Sequence, residues 1–124
     1  MTKSKVPAAA WEVVRDGAGR IRELEAAAAR VLHENGDAPG HRKLMTEKCL
    51  VLEALPETVE EALAGDESAG AAALLAGLED FARRAGMALQ LESIFFMGAL
   101  LYPDDYEAGD PNDLERFLER FVAV

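Results

Sequence analysis

Carboxylates are the densest chemistry-bearing residues in this chain. Glu57, Glu60 and Glu61 recur at spacings of three and four, which places them on one surface of a helix, and Glu79 with Asp80 follows on the next helical stretch. Oxygen donors converging from two such helices could hold Mg²⁺ and stabilise charge on a phosphoryl group during hydrolysis of a nucleotide phosphate. A second acidic region, Asp104 to Glu115, has the length of an EF-hand calcium loop, with Asp104 first, Gly109 sixth, Asn112 ninth and Glu115 twelfth, and with Asp110 inside it. Its third and fifth positions are Tyr106 and Ala108, so two of the oxygens that calcium requires have no carboxylate source.

The Glu57-x-x-Glu60 pair resembles the first half of the motif of the all-helical nucleotide pyrophosphohydrolases of the MazG type, which join Glu-x-x-Glu to a later Glu-x-x-Asp on another helix. The resemblance implies Mg-dependent hydrolysis by clustered carboxylates. It stops at that half, because Ala82 stands three positions after Glu79, and it does not identify the family. A local reading competes with it. Carboxylates just after Pro56 fall in the first turn of a helix, where they oppose the positive end of its dipole, and runs of charge are generally solvated faces.

Other chemistry finds fewer residues. His33 and His41 flank a loop holding Asp37, which is fewer ligands than a structural zinc needs, and neither histidine follows a glutamate by three positions as in di-iron bundles. Cys49 is the single cysteine. It cannot close an internal disulfide and reads as a small buried hydrophobe. The sequence contains no nucleophile elbow, phosphate loop or dinucleotide fingerprint. No cofactor is expected, and no catalysis.

The elements that would position these residues read as helices. Trp11, Val14, Ala18, Ile21, Ala28 and Leu32 recur at three- and four-residue spacing from Ala8 to about Glu34, with Glu25 the one violation of the apolar face. Pro7 suits a helix start and Asn35-Gly36 a stop, although Gly17 and Gly19 weaken the stretch and Asp16-Gly17 could instead form a hairpin turn. A second helix is expected from about His41 to Leu55, burying Leu44, Val51, Leu52 and Leu55, with a kink or break at Pro56. The face continues through Val59, Ala62 and Leu63 until Gly65-Asp66 closes it and Ser68 caps the next helix.

The region from Ser68 to about Tyr102 is too long for its neighbours unless it divides, and Gly86 is the expected dividing point. On it, Gly70, Ala73 and Gly77 form a small-residue face that would allow another helix to approach closely. The run Ile94, Phe95, Phe96, Met97, Gly98, Ala99, Leu100, Leu101 is apolar all round and too short to cross a bilayer. It is expected to be the central core helix, or else to face a second subunit in part. A last helix follows, capped by Asp110 and opened by Pro111, with Leu114, Phe117, Leu118, Phe121 and Val122 as its apolar stripe. Short connections favour antiparallel neighbours, so the expected fold is an all-α, up-and-down bundle of four to five antiparallel helices in a single domain over residues 1–124.

The 124 residues are half apolar and 29% charged, with a formal net charge of −10. That balance supports one packed core and works against nucleic acid or an anionic membrane surface as partners, since both bind through clustered Lys and Arg. With no secretory leader legible and one cysteine, the cytoplasm is the expected location. The combination of surplus apolar surface and little chemistry points to a small acidic interaction protein of the adaptor, chaperone-like or regulatory-subunit kind. It would associate with a protein partner or with itself as a homodimer, through the Ile94–Leu101 run or the Gly70–Gly77 face.

Overall fold

The computed structural model describes residues 2–124, and within them the fold is all-α, with helices forming most of the chain. Helix α1, Ala8–Asn35, turns its Val14, Ala18, Ile21, Leu24 and Ala28 face inward and stops at Gly36, whose φ of 61° is the left-handed conformation that glycine tolerates. Gly17 is an uninterrupted part of the helix. A Cβ there would come within 2.8 Å of Leu55 on the next helix, so the residue's absence of a side chain admits that leucine.

Helix α2, Ala38–Leu63, begins on an Asp37 cap and continues through Pro56 without interruption. Of the kink or break expected there, the break is absent. An interior proline costs about 3 kcal/mol, by losing one hydrogen bond and crowding the preceding turn. Leu55, Val59 and Leu63 are nevertheless all buried on one continuous stripe, and each such side chain returns roughly 1.5–3 kcal/mol when removed from water. Burial therefore outweighs local propensity. α2 lies between α1 and the third long helix and packs against both, so the core sits on its two flanks.

Helix α3, Ala69–Gln90, starts where the Ser68 side chain accepts the Ala71 amide. It too ignores its expected dividing point and passes through Gly86, between the buried Ala85 and Ala88. The real break lies beyond it, at Glu92, whose φ of 52° reverses the chain. The Ser93 hydroxyl then caps a helix of six residues, α4, Ile94–Ala99. α4 packs on α2 and α3 along one edge; it is not the central core helix expected of its composition, because six residues lying across two longer helices cannot be surrounded.

The last helix is also shorter than expected. Asn112, not Asp110, is the cap: its Oδ1 accepts the Glu115 amide at 2.9 Å while Glu115 Oε1 accepts the Asn112 amide at 2.7 Å. Helix α5 runs only from Asp113 to Leu118. Phe121 is buried as the stripe predicts, but from a strand. Strand β1, Ser4–Val6, pairs in parallel with β2, Phe121–Ala123, in the register Ser4 to Phe121, Lys5 to Val122 and Val6 to Ala123. Parallel pairing between strands near the two ends of the chain ties α1 to the region after α5.

Candidate interaction surface

Where α3 ends and α4 begins, apolar side chains are left in water. Met87 and Leu91 of α3 are 55% and 62% exposed, and Phe95 and Phe96 of α4 are 73% and 51% exposed. The two phenyl rings meet edge to face with centroids 5.6 Å apart. Met87, Leu91 and Phe96 share a groove of about 530 Å³ with Leu100, Pro103 and the stem of Arg84. Arg84 stacks its guanidinium over Phe81 at 4.7 Å and brings Nε to 3.3 Å from Asp80 Oδ2.

The loop that leaves the groove at Pro103 and returns to it at Asp113 is acidic. From Pro103 to Asp113 the chain carries Asp104, Asp105, Glu107, Asp110 and Asp113 and no Lys or Arg. Pro103 and Asp113 both line the groove, and Asp104, Asp105 and Glu107 are exposed.

Beneath this surface, a buried lysine and a half-buried arginine hold α4 and the loop after it to the bundle. Lys48 on α2 is fully buried; its Nζ donates to the carbonyls of Met97 at 2.9 Å and Leu100 at 3.1 Å and lies 2.9 Å from Glu25 Oε2 on α1. The other Glu25 oxygen accepts the Tyr102 hydroxyl at 2.5 Å. One turn earlier on α1, Arg22 grips Glu115 with two nitrogens, Nη2 to Oε1 at 2.6 Å and Nε to Oε2 at 3.2 Å, and donates to the Asp110 carbonyl at 3.0 Å. Tyr102 and Tyr106 stack edge to face at 4.7 Å beside it. The result is a continuous polar seam from α2 through α1 to the cap of α5.

This seam sets the state of its ionisable groups. Burial, followed by the hydrogen bond to Glu25, pushes the Tyr102 phenol above its ordinary range. The Arg22 hydrogen bond, against the opposing effect of burial, holds the Glu115 carboxyl below its ordinary value. A depressed carboxyl contributes stability that is complete above the unfolded-state pKa and is lost as pH falls through the folded value, because the unfolded chain takes up the proton first. Thermal midpoints measured from about pH 6 down to about pH 3 should therefore fall more steeply in the wild type than in Glu115→Gln. Parallel curves would remove Glu115 from the acid response.

The residues singled out by sequence scatter when placed in space. Gly70 is buried with the Lys5 carbonyl of β1 over it, and Gly77 receives the Phe117 ring; the close approach these glycines permit is used within the chain, and of that face only Ala73 is exposed. Met97 and Leu101 are buried in the core, Ile94 and Leu100 are half-buried, and Phe95 and Phe96 face outward. Glu57, Glu60, Glu61 and Glu79 are exposed, and Asp80 is engaged by Arg83 and Arg84.

In the second acidic region, Asp110 accepts the Glu107 amide, while Glu115 is committed to Arg22 and Asn112. Among the described residues, no three His, Cys, Asp or Glu side chains stand close enough to share a metal ion. His41 is turned onto the Ala28 carbonyl, 3.0 Å away, and His33 is exposed. Cys49 is buried, and desolvation raises its thiol to about 11.

Only one half of the Lys48 seam is visible in the sequence: Glu25 is the polar residue that interrupts the α1 stripe. In comparisons with known proteins, the chain matches no family model, no curated protein and no solved structure.

Proposed function

We propose that this chain is a small helical interaction protein, of the adaptor, chaperone-like or regulatory-subunit kind, that works by covering its Phe95–Phe96 face with another protein chain and performs no catalysis. The observation carrying this reading is the exposure of Met87, Leu91 and Phe96 around one groove, with the exposed Phe95 ring set against that of Phe96. Solvated apolar side chains scattered singly are ordinary, whereas several on one contiguous face mark a contact surface. The Lys48 and Arg22 anchors support it, because they hold α4 and its loop in one arrangement and so lower the ordering cost of binding.

A second copy of the chain is the occupant that can be tested with no outside partner, although two chains of charge −10 repel one another. Self-association through these apolar residues should therefore strengthen as salt screens that repulsion. Sedimentation velocity over a range of salt tests this on the wild type and on Phe95→Ser/Phe96→Ser, both positions being exposed enough to change without disturbing the core. The expected result is association that rises with salt in the wild type and is absent in the variant, with helicity and Tm unchanged. A wild type that stays monomeric throughout and binds a hydrophobic dye no better than the variant would overturn the reading.

A further inference from the structure

Resting on the reading of the Phe95–Phe96 face as a docking surface, we infer that the partner it is built for is a basic amphipathic helix of another protein. The backbone around the groove decides for a helix. Met97 and Leu100 give their carbonyls to Lys48, Leu101 gives its carbonyl to the Asp113 amide at 2.9 Å, and Ala99 gives its carbonyl to the Tyr102 amide at 3.1 Å. An extended peptide gains affinity by pairing its backbone with a free edge, and these groups are already spent. A partner that satisfies its own backbone and offers only side chains meets no such obstacle, and a helix with apolar residues at i, i+3, i+4 and i+7 does this.

The acidic loop between Pro103 and Asp113, the two residues by which it borders the groove, decides for basic charge. Asp104, Asp105, Glu107 and Asp113 make no salt bridge among the described residues, whereas Arg84, which lines the groove with Asp113, and its neighbour Arg83 are tied to Asp80. A Lys- or Arg-bearing flank would meet unpaired carboxylates along the Pro103–Asp113 side while the apolar stripe fills the groove. A second copy of this chain would bring its own acidic loop into the same interface. Four partly exposed side chains return only a few kcal/mol on burial, near the lower end of what association costs, so the charged rim supplies both selection and on-rate.

Three synthetic helical peptides of about 18 residues, long enough to hold a helix, test the inference by calorimetric titration of the full chain. The first carries a leucine stripe on a lysine background, the second the same stripe on a glutamate background, and the third the composition of the first in an order that destroys the stripe. The expected result is that the first binds most tightly. Its affinity should drop about tenfold or more in Phe95→Ser/Phe96→Ser, drop several-fold in Asp104→Asn/Asp105→Asn, and weaken with salt, opposite to the trend for self-association. If the stripeless peptide binds equally well, the attraction is charge alone and the inference falls. If the glutamate peptide binds as tightly as the lysine one, the docking face stands and the basic partner is wrong. If neither striped peptide binds, the basic-helix partner is wrong, and the docking face itself stands or falls separately on the sedimentation and dye measurements.

Discussion

Glu25→Leu should lower the unfolding free energy by about 3–5 kcal/mol, measured by urea denaturation at neutral pH, because it leaves the Lys48 ammonium buried without its counter-charge. Lys48 has no water to turn to, since its side chain is fully buried between α1, α2 and α4. The two carbonyls it retains, from Met97 and Leu100, are neutral acceptors. The Tyr102 hydroxyl loses its acceptor in the same substitution. Adding Lys48→Met to Glu25→Leu should recover a large part of the loss, as replacing both members of a buried pair by apolar side chains commonly does. The recovery should be incomplete, because the Met97 and Leu100 carbonyls would then lack a donor. A Glu25→Leu variant within about 1 kcal/mol of wild type would show that the pair is hydrated and the seam open.

Leu52→Ala should cost about 2–5 kcal/mol by the same measurement. Leu52 is completely buried on α2, the helix that packs against both other long helices, so the cavity left behind cannot be closed by moving one neighbour without unseating another. Glu57→Ala on the same helix serves as the control: its side chain is exposed, and surface substitutions of this kind generally stay within about 0.5 kcal/mol. A small loss at Leu52 would mean that α1 and α3 can collapse toward each other.

These two positions illustrate what the sequence makes legible. Leu52 lies on a 3.6-residue apolar period, and that period locates α1 and α2, while the Ser68 cap marks the start of α3, and together they show the all-α class. Such periodicity reports burial, which dominates the energetics of packed helices. Features that rest on pairing between distant residues are not encoded in any local window. Glu25 is visible as a misplaced charge in a stripe, but its partner Lys48 belongs to another helix. β1 and β2 each have three residues and find each other only across almost the whole chain.

Local rules also lost where burial opposed them, at Pro56 and at Gly86, and the breaks expected there did not form. The cap of α5 was legible in principle, since Asn112 followed three positions later by Glu115 is the capping-box signature. Asp110 and Pro111 mask it, because Pro is the stronger marker of a helix start. Of the candidate interface, Phe95 and Phe96 remain exposed, whereas Gly70 and Gly77 are filled from within. Composition alone does not distinguish a small residue that awaits a partner helix from one that makes room for its own chain.

The pairing of β1 with β2 also has a kinetic consequence. The three long helices meet mainly through neighbours in sequence, and contacts of that kind form early and fast. The two strands close a loop of nearly the full chain length, so the entropy of closure must be met before their few hydrogen bonds return anything. This clasp should therefore be the last native contact to form and the first to open, and amide exchange at Ser4 and Val124 should run ahead of exchange in the helical core.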